Sequence, residues 1–222
     1  MENTEHQTTL QSRIHDRPEQ ILKAKTQTPN TREGLYLNNS MRVLPVFSIT
    51  LGRGADAMNL GDSIKICDQN DEATILTIIN ESAKAYKGVI PADRYHEPYM
   101  PMNELRKEMD TMTFFAFEEN GILVGLVGYQ PVKEVTLVRH LYVLQKHQRC
   151  GIGKKLLKHV IHMAKTRQIL VGTWEAATWA IRFYEKNDFK LLPNKDEFLR
   201  KYWNIPERQI ELSVVLGLEK SV

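Results

Sequence analysis

The run from Val135 to Trp174 limits the fold of this chain more than any other. Val135 to Val143 is rich in β-branched residues and predicts a strand. Gly151 to Lys165 predicts a helix, because Ile152, Leu156, Leu157, Val160, Ile161 and Ala164 recur with helical spacing on one face. Ile169 to Trp174 predicts a second strand. Strand, helix and strand in that order place the two strands parallel in one sheet, since the helix carries the chain back to the end where it started.

The segments around this unit read as antiparallel structure. Ser63 to Cys67 alternates as a strand. Asp71 then stands as an N-cap to a helix whose apolar face is Ala73, Ile75, Leu76, Ile78, Ile79 and Ala83. Tyr86 to Tyr99, with Gly88, Pro91 and Pro98, reads as a loop, and Met102 to Met109 as a short helix. Thr113 to Phe117 and Ile122 to Tyr129 flank Asn120-Gly121, a hairpin turn signal. After Trp174 come a helix from Ala177 to Lys186, a short strand from Phe189 to Leu192, and a last strand from Gln209 to Leu216. The order predicts an α/β (α+β) domain: a mixed, mostly antiparallel sheet with a parallel pair in its middle.

The first forty residues are polar, with few large apolar side chains, and an apolar patch at Val43 to Ile49 follows. Such a segment buries too little to offset its ordering entropy, so residues 1–60 are expected to be a disordered or loosely docked extension. A start at Met41 or Met58 is the alternative. The domain is expected over residues 61–217, with a short tail at 218–222.

A net charge of +3 with mixed signs shows no basic tract, which argues against nucleic acid as a partner. No apolar run approaches the ~20 residues of a membrane span. The polar N-terminus holds no apolar secretory core. Cys67 and Cys150 lack metal-ligand spacing, so no metal is expected, and reduced cysteines suit a cytoplasmic location.

The sharpest motif is Gln148-Arg149-Cys150-Gly151-Ile152-Gly153-Lys154, directly before the helix. Glycines there let the backbone approach a ligand, and a helix start presents unpartnered N–H groups and a positive dipole end. Together these suit a pyrophosphate. The motif lacks the Lys-Ser/Thr ending of a Walker loop and the third glycine of a dinucleotide fingerprint. On its own it also fits a plain strand–turn–helix joint.

Gln148-x-x-Gly151-x-Gly153 after Leu141-Tyr142-Val143, with Ala180-Ile181-Arg182-Phe183-Tyr184-Glu185-Lys186-Asn187-Asp188-Phe189 downstream, resembles the GNAT superfamily of acetyl-CoA-dependent N-acetyltransferases. The resemblance spans Ser63 to Val215. It implies about seven strands with a splayed central parallel pair and about four flanking helices. It also implies acetyl-CoA as co-substrate and an amine as acceptor. By the same resemblance, the backbone of Leu141, Tyr142 and Val143 pairs with the pantetheine arm. Gln148, Arg149, Cys150, Gly151, Ile152, Gly153 and Lys154 form the pyrophosphate turn, and Tyr184 lies beside the CoA sulfur. Two positions depart from the family pattern: Asp188, commonly Gly, and Ala177, where an Asn is often found.

Acetyl transfer to an amine needs a neutral amine, a polarised carbonyl and a proton for the leaving thiolate. Tyr184, a phenol with an ordinary pKa near 10, is the expected general acid, or else a residue that packs on the cofactor arm. His140 or Glu97 is the candidate base, though a packed or solvated histidine is the preferred reading of the first, a solvated loop carboxylate is the usual fate of the second, and water alone can serve. Tyr95, His96 and Glu97 lie in the loop that the resemblance makes a wall of the substrate site. A small side chain filling the turn is the better reading of Cys150 than a nucleophile. Two other functions stay open: a non-catalytic acyl-CoA-binding module, and a protein lysine or N-terminal acetyltransferase. A homodimer through the last strand is compatible with this reading.

Overall fold

The computed structural model describes residues 62–220. The expectations for residues 1–60, including the apolar patch at Val43 to Ile49, lie outside the described residues, as does the end of the tail.

Among the described residues, seven strands form one sheet: β1 (Asp62–Ile66), β2 (Thr113–Glu119), β3 (Ile122–Val132), β4 (Val135–Val143), β5 (Gln168–Trp174), β6 (Lys190–Leu191) and β7 (Ser213–Glu219). Their spatial order is β1-β2-β3-β4-β5-β7-β6. Only β4 and β5 run parallel; every other neighbouring pair is antiparallel. The helices are α1 (Glu72–Ala83), α2 (Met102–Met109), α3 (Ile152–Met163), α4 (Thr178–Glu185), α5 (Lys195–Tyr202) and α6 (Glu207–Glu211).

Strand alternation sorts the core into two faces. Phe115, Phe117, Val138, Ile169, Val171 and Leu216 point to the face covered by α3 and α4, where they meet Leu156, Leu157, Val160 and Tyr184. Phe114, Ala116 and Leu126 point the other way, onto Ile75, Ile78 and Ile79 of α1 and Leu105 of α2. Leu137, Leu170 and Val215 share that second face and are covered by Leu199 and Tyr202 of α5 and Ile210 of α6.

Three sequence expectations need correction. First, α5 and α6 are additional helices between β6 and β7. Second, Gln209, Ile210 and Glu211 belong to α6 rather than to the last strand, which begins at Ser213. The alternation Ile210, Leu212, Val214 imitates a strand, but Pro206 fixes the extended backbone just before a helical turn and Ile210 is buried under it. Third, Asp71 occupies the start of α1 without capping it by its side chain. Asp68 is the capping residue one turn earlier: its Oδ1 accepts the Asn70 N–H at 2.8 Å, and Asp71 Oδ2 accepts the Asp68 N–H at 3.1 Å.

Candidate active site

The site is built where the parallel pair comes apart. Pairing of β4 with β5 runs from Val135–Gln168 to Val138–Val171 and stops there. Beyond it β4 stays paired to β3 at Tyr142 and Val143, while β5 stays paired to β7 through Trp174. The β5-facing edge of β4 and the facing edge of β5 therefore carry backbone polar groups that no neighbouring strand uses, and such groups need partners when buried.

A register shift in the β3–β4 ladder lies next to this opening, between the Leu126–Tyr142 and Gly128–Arg139 pairs. His140 takes a left-handed φ of 49° there. The bulge puts two consecutive side chains, Arg139 and His140, on the α2 face of the sheet. Both hold Glu108 of α2: Arg139 Nη2 lies 3.0 Å from Oε1 and His140 Nε2 lies 2.6 Å from Oε2. Burial pushes the Glu108 carboxyl up, but His140 and Arg139 outweigh it and hold it below the usual carboxylate range.

The turn before α3 forms the other wall. Arg149 and Gly151 both adopt left-handed backbone, with φ of 65° and 81°. Gly151 is the N-cap of α3, and the first bond of the helix runs from the Lys155 N–H to the Gly151 carbonyl. Among the described residues, the N–H groups of Ile152, Gly153 and Lys154 have no backbone acceptor. Gln148 bridges turn and strand: its Nε2 donates to the Val143 carbonyl at 2.9 Å. A Cβ on Gly151 would meet nothing within 4 Å, so this glycine is required by its φ and by the openness of the turn rather than by packing.

One cavity of about 1010 Å³ joins these features. It runs along Arg139 to Val143, past the α3 turn, and between α4 and the end of β5. Leu141, Tyr142, Val143, Gln148, Arg149, Gly151, Ile152, Gly153, Lys154, His140 and Tyr184 all line it. The sequence-derived residues are thus brought together with four exceptions. Cys150 is exposed outside the lining, its Sγ 3.5 Å from the Gln148 carbonyl. Tyr95, His96 and Glu97 also stand off the wall. His96 Nδ1 sits 2.6 Å from the Pro98 carbonyl, and Glu97 accepts from Lys87 Nζ at 2.9 Å and from the Tyr95 hydroxyl at 3.0 Å. Those two donors hold the Glu97 carboxyl below its ordinary range, which weakens it as a base.

Tyr184 is buried, edge-on to Phe183 and Phe189 at 5.2 and 5.6 Å. Burial, with Tyr86 nearby, pushes its phenol well above the ordinary value, so it stays protonated at physiological pH. Asp188 takes φ of 70°, so the turn after α4 keeps the left-handed shape a glycine would give; Asp is among the few residues that tolerate it. Ala177 is fully buried at the start of α4 with no side-chain cap. The sequence reading missed Glu108 and the aromatic wall made by Tyr86, Tyr99, Trp174, Trp179 and Trp203. Among the described residues no cluster of His, Cys, Asp and Glu could hold a metal ion, and no helix is long and apolar enough to cross a membrane.

The profile of the acetyltransferase (GNAT) family matches residues 76–189, more than half of the chain, and the protein belongs to that family. Solved structures agree on the fold. The PaiA N-acetyltransferase from Thermoplasma acidophilum in complex with coenzyme A is 16% identical with a TM-score of 0.54, covering 72% of this chain and 99% of that one. The ribosomal-protein-S18-alanine N-acetyltransferase from Escherichia coli is 16% identical with a TM-score of 0.52, covering 72% and 95%. YncA from Salmonella typhimurium, a putative acetyltransferase with its cofactor acetyl-CoA, is 21% identical with a TM-score of 0.52, covering 72% and 94%.

Proposed function

We propose that this protein transfers an acetyl group from acetyl-CoA to a primary amine by direct attack. The observation that carries the reading is the continuity of one cavity from the α3 turn, along the unpaired edge of β4, to Tyr184. The family membership and the CoA-bound relatives point the same way.

Bound acetyl-CoA supplies a thioester already activated toward amines. The N–H groups of Ile152, Gly153 and Lys154 hold its pyrophosphate, helped by the dipole of α3 and by Arg149 and Lys154. The free edge of β4 at Leu141 to Val143 takes the amide-bearing arm as an extra strand would be taken. Tyr184 donates its proton toward the sulfur as the C–S bond breaks and recovers one from solvent. Its raised pKa suits a donor that acts only when thiolate charge develops in an equally dry site. The amine loses its proton to water or to His140. Glu108 occupies His140 Nε2, which leaves Nδ1 to accept it.

Amine-dependent release of CoA from acetyl-CoA tests the reading, across polyamines, amino acids, aminoglycosides, arylalkylamines and short peptides. The expected result is transfer to one amine class. Tight CoA binding with no transfer to any amine would replace the enzyme by a non-catalytic acyl-CoA-binding module.

A further inference from the structure

The cavity has two chemically different ends, and α4 spans both. Trp179, Arg182, Phe183 and Lys186 follow each other at helical spacing and all line the cavity. Phe183 lies against the α3 turn, 3.6 Å from where a Gly153 Cβ would be. Trp179, one turn earlier, stacks on Tyr86 with ring centroids 5.8 Å apart and an interplanar angle of 30°. Tyr86 meets Tyr99 at 5.6 Å, and Trp174 Nε1 donates to the Tyr99 hydroxyl at 3.1 Å. The cations Arg149, Lys154, Arg182 and Lys186 line the cavity with the turn and the later part of α4. The start of α4 belongs to a box of four aromatic rings, of which Trp179 is 45% exposed.

The lining holds no Asp or Glu among the described residues. Glu108 is paired with Arg139 and His140, and Glu97 with Lys87 and Tyr95. A polyamine or aminoglycoside entering this box would bring several ammonium groups with no carboxylate to receive them and with cations at the far end. An amine carried on an aromatic or apolar group fits instead. Its ring stacks among Tyr86, Tyr99 and Trp179, and its single ammonium is desolvated. Desolvation lowers an amine's pKa, which delivers the neutral nucleophile that acyl transfer requires without a strong base.

We infer that the acceptor is a primary arylalkylamine-type monoamine bound in the Tyr86–Tyr99–Trp174–Trp179 box, and that polycationic amines are rejected. The inference rests on the acetyltransferase reading above. The attacking nitrogen forms the new amide bond, the thioester C–S bond breaks, and the amine's proton leaves to water or His140 while the thiolate is protonated.

Steady-state acetylation of tryptamine, 2-phenylethylamine and spermidine by the full chain tests it, alongside calorimetric titration with CoA. The expected kcat/KM for the two arylalkylamines exceeds that for spermidine by at least about tenfold, the scale on which a lost pocket contact discriminates substrates. Trp179→Ala should raise the KM for tryptamine by about tenfold with CoA affinity unchanged, and Trp179→Phe should recover most of the loss. A preference for spermidine, no acetylation of either arylalkylamine, or an unchanged tryptamine KM in Trp179→Ala overturns the inference while cofactor binding stands. Failure to bind CoA at all overturns the underlying acetyltransferase reading instead.

Discussion

His140 Nε2 lies 2.6 Å from Glu108 Oε2, across the interface between β4 and α2, and Arg139 closes on the other oxygen of the same carboxylate. Consecutive residues of a regular strand point to opposite faces, so one carboxylate could not ordinarily hold both. The left-handed backbone at His140 makes it possible. The bulge beside the open strand edge is therefore tied down by the Glu108 carboxylate, which also fixes which nitrogen of His140 faces away from it.

Glu108→Gln should destabilise the fold by about 1–3 kcal/mol at neutral pH, because Arg139 loses its counter-charge and His140 Nε2 its carboxylate partner in a half-buried place. The sign of the pH dependence follows from the lowered Glu108 pKa. A carboxyl depressed in the folded state contributes stability above its unfolded pKa, and that contribution is lost as pH falls through the folded value. Urea melts of both proteins should therefore converge as the pH drops below the ordinary carboxylate range. A gap that stayed constant down to acid pH would mean that the pairing contributes nothing.

Gly151→Val should lose the thermal shift on adding CoA. A β-branched residue is strained at φ of 81°, at a cost of about 1–2 kcal/mol, yet a Cβ there touches nothing, so the fold should persist. At a CoA concentration of 100 Kd a wild-type-like protein gains about 2.7 kcal/mol, and a 100-fold weaker variant gains about 0.4 kcal/mol at that same concentration. An undiminished shift in the variant would remove the α3 turn from the binding site.

Much of this was legible in the sequence because the signals were local. The bounds of β4 and α2 follow from periodicity alone, and Gly151 marks its own turn. The aromatic box was not legible: Tyr86, Tyr99, Trp174 and Trp179 come from a loop after α1, the loop before α2, the end of β5 and the start of α4, and only the splayed sheet assembles them. Helix α5 had signals that went unread. Phe198, Leu199 and Tyr202 share a face, with Asp196 and Glu197 in its first turn and Arg200 and Lys201 in its last, as the helix dipole favours. Glu108 lies three residues beyond buried Leu105, on the apolar side of α2, and a charge there asks for a partner. The bulge that brings two partners to it has no sequence signature, since His140 is not a residue that favours left-handed backbone as glycine does.

Removing residues 1–60 should leave a protein that melts cooperatively and binds CoA. The seven-stranded sheet and the cavity lining named above are formed among the described residues, 62–220, and the removed segment is polar and aperiodic. Asp62 is the residue to retain, because its carboxylate lies 3.5 Å from Lys155 Nζ of α3. A broad, non-cooperative melt of the shortened chain, followed by circular dichroism, would place the segment within the folding unit.

Tyr184→Phe isolates the proposed acid. The ring keeps its edge contacts with Phe183 and Phe189, so packing of α4 on the sheet is preserved and only the hydroxyl is lost. If the proton goes to the leaving sulfur, turnover at saturating acetyl-CoA should fall by about 10²–10⁴-fold, the usual worth of a positioned acid, with CoA affinity nearly unchanged. Equal losses in kcat and kcat/KM would mark an interaction made only in the transition state. The rate should show no alkaline limb attributable to Tyr184 in the ordinary phenol range, because burial holds its pKa well above 10. A fall in CoA affinity with kcat retained would instead make Tyr184 a residue that orients the cofactor arm, and the thiolate would then be protonated by water.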